Sequence, residues 1–315
     1  MRCVTSFARR FAGVIDKLEF LIALARERNF SRAADSCGVT QPTLSAGIKQ
    51  LEDTLGVLLV NRSSRYYGLT AEGERVLEWA RRIVSDAKAM RQDVHASKAT
   101  LVGHLTVAAV PTALPMAAEV TAPFQTKHPG VRFTILSRTS REILAMFDDF
   151  QIDAGITYLD NEPLGELLKV PLYRERYSLL TCAGNLLSDR SEVTWPDVAR
   201  IPLCLLTPDM QNRRIIDRLL ANSAVPPPIE SNSMVVLLAH VRIGRYACIV
   251  PESLAYLIGA AEPLRSIPIG EPREIHTIGL VAPPREPLPP LIQALVAEAG
   301  KLDTRPRPGL RPMPH

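Results

Sequence analysis

The chain has 315 residues, 46% of them hydrophobic, so two or three units with real cores are expected. Its formal net charge of +4 is a poor guide to partners, because residues 1–15 carry three Arg and no acid, residues 301–315 carry four basic residues against Asp303, and the body between is slightly acidic. Any binding to nucleic acid must therefore rest on local placement of Arg and Lys. Five scattered Cys and six dispersed His give no metal-ligand spacing, and no apolar run approaches the ~18 residues that read as a membrane helix.

Residues 1–15 read as a disordered extension ahead of the fold. The Arg9-Arg10 pair is followed by too few apolar residues for an export signal. From Asp16, Leu18, Leu21, Ile22 and Ala25 recur at helical spacing and give one apolar stripe. Ser31 offers an N-cap for a short helix holding Ala33 and Ala34, and Gly38 can end it in the left-handed conformation. Thr40 caps the next helix, whose first turn tolerates Pro42 because amides there lack intrahelical partners. Ile48, Leu51 and Leu55 face inward, which leaves Thr43, Ser45, Lys49 and Gln50 outside. Two helices about a Gly-containing turn, the second with a polar outer face, make a helix-turn-helix whose second helix enters the major groove. The run Val57–Val60 and the pair Tyr66-Tyr67 flank a turn with Arg62 and Arg65, a small β-wing. This unit spans 16–70. The competing reading is a surface subdomain whose polar residues are merely solvated.

Residues 71–100 read as one long helix. Val76, Ala80, Ile83, Ala87, Met90 and Val94 follow alternating spacings of 4 and 3, a heptad seam that asks for a partner helix. The Pro-free stretch from Ala71 to Lys98 alone is roughly 42 Å long at 1.5 Å per residue, too long for the winged unit to cover, so a second copy is the economical partner.

From Gly103 the pattern becomes α/β. HLTVAAV, VRFTILSR and IDAGITY read as strands separated by helices 116–127 and 140–150, an order that implies a parallel sheet. YSLLT, IPLCLLT, helix 210–221, a helix from Met234 to Val241, and YACIVP form a second set, and HTIGLVA with helix 288–301 returns to the first. The expectation is lobe I over 101–176 and 278–302, lobe II over 177–277, and a disordered tail over 303–315. A cleft between such lobes lies at strand carboxyl ends, where helix N-termini face an anion. Thr112, Ser140, Thr207 and Asn232 have that placement, and Arg138 adds a charge if it turns inward. Each Ser or Thr is equally readable as a plain helix cap. No nucleophile elbow, phosphate loop or His–carboxylate cluster is present, so a binding module without a cofactor fits better than an enzyme.

Taken together, FSRAADSCGVTQPTLSAGIKQLEDTLGVLLVNR, LTAEG, IDAGITY and GRYACIVP resemble a LysR-type transcriptional regulator across residues 16–302. The resemblance implies a cytoplasmic activator that binds pseudo-palindromic double-stranded DNA near promoters. It also implies dimers through the linker helix and commonly homotetramers, with RNA polymerase as a further partner. The two-lobed domain would resemble periplasmic solute-binding proteins. DNA contacts would fall on Ser31, Arg32, Gln41, Pro42, Thr43 and Ser45, with Arg62 and Arg65 on the wing, and effector contacts on Thr112, Ser140 and Thr207. One departure is LSAGI where the family often has LSRQI: Ala46 and Gly47 remove a contact group, and a mid-helix Gly costs about 1 kcal/mol against Ala. TYLDNEPLG, PLYRERY and LCLLTPDMQNRRIIDRLL are similar to a subgroup encoded beside NAD-dependent formate dehydrogenases, which implies formate or a related one-carbon effector. A redox-sensing regulator of the same architecture and a solute-binding α/β protein stand as alternatives.

Overall fold

The computed structural model describes residues 3–62, 66–96, 101–160, 162–185, 187–220, 226–258, 263–271 and 275–302. The chain divides into two compact units, residues 1–97 and 98–315. The tail expected over 303–315 lies outside the described residues.

In the first unit α1 (Cys3–Glu27) starts thirteen residues before the expected fold. Residues 3–15, read as a disordered extension, instead continue the helix backward. They contain no Pro, so no backbone donor is missing from the helical ladder. Then come α2 (Phe30–Ser36), α3 (Gln41–Leu55), β1 (Val60–Arg62), β2 (Tyr66–Leu69) and α4 (Ala71–Ala96). The cap of α2 is Asn29, not Ser31: Asn29 is extended at φ −157° and its Oδ1 accepts from Arg32 N at 3.0 Å. Thr40 caps α3 as expected, and Gly56, left-handed at φ +70°, ends it. Leu18, Leu21, Leu24, Ala33, Leu44, Ile48 and Leu51 fill the core, whereas Leu55, expected inside, is exposed in the last turn of α3. Glu52, buried, accepts from Leu59 N at 3.0 Å and Val60 N at 3.2 Å, which ties the foot of α3 to the wing.

The entry to α4 is equally tight. Thr70 Oγ1 donates to Leu58 O at 2.6 Å and accepts from Gly73 N at 2.9 Å. A Cβ on Gly73 would overlap the Leu59 carbonyl oxygen, which is backbone and cannot swing aside. Gly73→Ala is therefore expected to destabilise the first unit by about 3 kcal/mol despite its better helix propensity, as overpacking outweighs propensity. Urea denaturation followed by circular dichroism on the full chain checks this, and unchanged stability would refute the close approach.

The expected seam on α4 needs correction. Val76 and Ala80 pack inward with Leu77 and Val84 on the core shared with α1, because the first turns of α4 are themselves a wall of the winged unit. The outward stripe is Trp79 (64% exposed), Ile83 and Met90 (61% exposed), with Ala87 half-buried beside it. The Val94 side chain lies outside the described residues.

The second unit holds β3 (Val102–Ala109), a 3-10 turn (Pro111–Ala113), α5 (Leu114–Lys127), β4 (Gly130–Ser137), α6 (Ser140–Asp148), β5 (Ala154–Tyr158) and β6 (Leu168–Glu175). The chain then passes through β7 (Tyr177–Cys182), α7 (Trp195–Val198), β8 (Cys204–Leu206), α8 (Gln211–Leu219), β9 (Ile229–Ser231) and α9 (Met234–Arg242). It closes with β10 (Cys248–Pro251), α10 (Glu252–Ile258), β11 (Leu264–Pro268), β12 (His276–Ala282) and α11 (Pro290–Gly300). One sheet runs β4-β3-β5-β12-β6 and another β10-β7-β11. Pairs β3·β4 and β3·β5 are parallel, as the βαβ pattern requires, but β12 is antiparallel to both β5 and β6. The first sheet is thus mixed, not parallel, because β12 enters from the far lobe and runs opposite to its neighbours. The chain crosses between lobes where β6 ends at Glu175 and β7 begins at Tyr177, and again on the approach to His276.

Candidate functional site

Two surfaces carry the candidate residues. On α3, Gln41, Pro42, Thr43, Lys49 and Gln50 are exposed and Ser45 is half-buried, while Leu44, Gly47 and Ile48 point inward. The Thr40 and Thr43 hydroxyls share a hydrogen bond at 2.8 Å. Ser31 and Arg32 stand exposed on α2, and Arg32 Nη2 donates to Glu27 O at 2.7 Å, which leaves the rest of the guanidinium facing solvent. Arg62 closes β1, with its side chain outside the described residues, and Arg65 lies wholly outside them. The outer face of α3 is therefore a row of hydrogen-bonding side chains on a rigid helix, the arrangement that reads base edges.

The second surface gathers at the carboxyl ends of β3, β4, β5 and β8. Thr112, in the 3-10 turn after β3, is 2% exposed, and its Oγ1 makes no hydrogen bond of good geometry among the described residues. The hydroxyls of Thr207, just past β8, and of Tyr177, which opens β7, are likewise buried without a well-formed hydrogen bond. Ser140 is fully buried in the first turn of α6, and its Oγ accepts from Thr157 Oγ1 at 3.1 Å. It is not the cap: Thr139 caps α6 in a capping box with Glu142. Two expected contacts fail. Arg138 does not turn inward but donates to Ser137 O at 2.7 Å, since its own backbone offers a nearer acceptor. Asn232 stands on the stretch between β9 and α9, exposed to solvent.

Between these hydroxyls lies a polar hub that sequence reading missed. Tyr158 OH donates to Glu175 Oε1 at 2.8 Å, Asn212 Nδ2 donates to Tyr158 OH at 3.4 Å, and Tyr173 OH reaches Glu175 Oε2 at 3.5 Å. Asn212 and the buried Gln211 open α8 in the second lobe, so the hub joins the lobes, as does the ion pair of Arg214 with Glu162 at 2.7 Å. Burial lifts the Glu175 carboxyl from 4.5 to about 7, against the pull of its tyrosine hydrogen bonds. Burial also holds the Tyr158 hydroxyl well above its ordinary value. The only local signal was Tyr158 at the end of the apolar run IDAGITY, since Glu175 and Asn212 lie in the polar stretches RERY and DMQN, where nothing marks them for burial.

Residues 15–74 match the bacterial regulatory helix-turn-helix protein, lysR family, and residues 98–302, more than half the chain, match the LysR substrate binding domain. The chain belongs to the LysR family. As a LysR-type regulator it is a DNA-binding transcription regulator with an effector-binding domain. It is 28% identical over 277 residues to the DNA-binding transcriptional dual regulator OxyR of Escherichia coli K12, covering 87% of this chain and 90% of that one. It is 32% identical over 193 residues to a hydrogen peroxide-inducible genes activator of Pectobacterium carotovorum, a match spanning 61% of this chain and 64% of that protein's length. A full-length OxyR variant from Pseudomonas aeruginosa superposes with a TM-score of 0.70 at 25% identity, covering 91% of this chain and 97% of that one. Full-length CbnR complexed with its target DNA shares the fold at a TM-score of 0.63 and 23% identity, over 91% of this chain and 99% of that one. The LSAGI departure in this LysR-family chain also has a packing side: a Cβ on Gly47 would sit 2.7 Å from Phe20 Cδ2 of α1. Gly47 therefore answers to the close approach of α1 and α3, and only Ala46 stands exposed.

Proposed function

We propose that this LysR-family regulator senses a small organic acid in the cleft between its α/β lobes and transmits the signal to a pseudo-palindromic promoter site held by α3. It acts in the cytoplasm as a homodimer or homotetramer and as a regulator rather than an enzyme, with RNA polymerase as its partner in activation. The observation that carries the effector reading is the set of buried hydroxyls around the strand carboxyl ends, Thr112, Thr207 and Tyr177, that make no well-aligned hydrogen bond among the described residues. A buried polar group whose hydrogen bonding is incomplete costs free energy, so a ligand that completes several is bound selectively. The site is built from short hydroxyls and amides, which suits a compact acid such as formate. To regulate, the acid must prefer one lobe arrangement over another.

The test is a thermal-shift series on the full chain with formate, acetate and glycolate. A ligand at ~100 times its Kd adds about 2.7 kcal/mol, a rise of a few degrees. The rise should vanish in Thr112→Val with basal stability retained. No rise with any acid, or a rise indifferent to Thr112, would defeat the reading.

A second reading comes from the relatives named hydrogen peroxide-inducible genes activators. It is favoured by Cys204 and Cys248, buried side by side, where the hydrogen bond to Cys204 together with burial holds the Cys248 thiol well above its ordinary value. A transcriptional response to peroxide that survives Ser at Cys182, Cys204 and Cys248 would dismiss it.

A further inference from the structure

Glu175 sits on the strand that crosses between the lobes, 1% exposed, one hydrogen bond from the residues that bound the cleft. The groups hydrogen-bonded to its carboxyl among the described residues are neutral or weakly acidic: Tyr158 from β5, Tyr173 from its own strand, Tyr177 from β7 and the Asn212 amide from α8. His276 is the other titratable neighbour, paired across the strands with Glu175 and packed edge-on to Tyr158 at 6.2 Å between ring centres. From α10, Ser253 meets Tyr173. The helix α11, also on β6, contributes Leu291, Ile292 and Leu295, and its buried Glu298 is paired with Lys301. Four nearby arginines point or bond elsewhere, and Arg176, partly buried between Glu175 and Tyr177, is the remaining basic neighbour in sequence. Arg213 holds Asp217 and Glu230 at 2.6 Å each, Arg214 holds Glu162, Arg138 holds its neighbour's carbonyl, and Arg174 is exposed on the alternate face of β6.

An anion placed among Thr112, Tyr177 and Asn212 thus meets no partnering cation from these arginines and one carboxylate. Two like charges in a water-poor site cannot both persist cheaply, and one is discharged by a proton. We infer that the cleft binds uncharged hydrogen-bonding ligands directly, and small carboxylates only together with one proton taken up by Glu175. The proposal rests on the effector reading above and adds its ligand chemistry. In the binding step one solvent proton forms an O–H bond on the Glu175 carboxylate, the ligand keeps its own charge, and the new carboxyl donates into the Tyr158–Asn212 network. Burial already keeps that proton within reach near neutral pH.

The experiment is calorimetric titration of the full chain with acetate and with acetamide, an uncharged mimic, between pH 6 and 8.5 in buffers of different ionisation enthalpy. Acetate affinity is expected to fall about thirtyfold across that range, tenfold per pH unit above 7, with one proton taken up per acetate at pH 8. Acetamide affinity should stay flat with no proton uptake. Glu175→Gln should flatten the acetate profile, and the proton count in the unaltered chain decides the matter even if that variant folds poorly. A flat acetate profile, or a fall that persists in Glu175→Gln and disappears in His276→Asn, overturns the inference. Failure of both probes to bind at any pH overturns the cleft reading itself, and this inference with it.

Discussion

Replacing Glu175 with Gln is expected to stabilise the second unit at pH 8 by up to about 3 kcal/mol while leaving it little changed near pH 4.5. The sign follows from the direction of the shift. The folded carboxyl holds its proton up to about 7, whereas its ordinary value is 4.5. Proton binding therefore favours the folded state fully below about 4.5, and that support is lost as the pH rises through 7. Above 7 the fold must keep a bare carboxylate in an almost water-free site, a cost that Gln does not carry. Some of the gain is returned, since an amide cannot accept from Tyr158 and Tyr173 as strongly as a carboxylate. Guanidinium denaturation at pH 5 and pH 8 measures both terms. Equal stability of the unaltered chain at the two pH values, with no gain in the variant at pH 8, would mean that Glu175 is ionised and well satisfied.

The outward stripe of α4 gives the other large effect. Trp79, Ile83 and Met90 leave a wide apolar band unburied within one copy of the first unit, next to the half of the helix that packs on α1. Ile83→Asp with Met90→Asp places two charges in that band without touching Ala80 or Val84. The double variant is expected to be monomeric in light scattering and to bind operator DNA at least about a hundredfold more weakly. The second head of a joined pair binds at a high effective concentration that a lone head lacks. A dimer that persists with full DNA affinity would place self-association elsewhere.

Much of the first unit was legible because its signals are local. Thr40, Pro42 and the helical recurrence of Ile48 and Leu51 each act within a turn or two of helix, whereas Leu55, on the same pattern, is exposed and Leu44 completes the inner face instead. What failed there were choices among equivalent candidates. Asn29 and Ser31 are both good caps, and the backbone of the α1–α2 turn decides for Asn29. Helix α4 carries apolar residues on two faces, and only packing against α1 reveals that Ala80 belongs to one and Trp79 to the other. In the second unit the strands at which the candidate site gathers were readable from apolar runs, so Thr112, Ser140 and Thr207 could be named. The hub around Tyr158 was not. It joins Glu175 and, 54 residues further along the chain from Tyr158, Asn212, and no periodicity spans such separations. Arg138 failed for the opposite reason, because a very local acceptor outcompeted the cleft.

That outward groups of α2 and α3 hold DNA is tested most directly by equilibrium binding to the promoter region beside the protein's own gene across a salt series. Affinity is expected to fall log-linearly with salt, with Arg32→Ala and Lys49→Ala together weakening binding at least about tenfold and lowering the salt slope by roughly one for each phosphate contact removed. Both variants should keep the thermal stability of the unaltered chain. Undiminished, equally salt-sensitive binding by the double variant would contradict it.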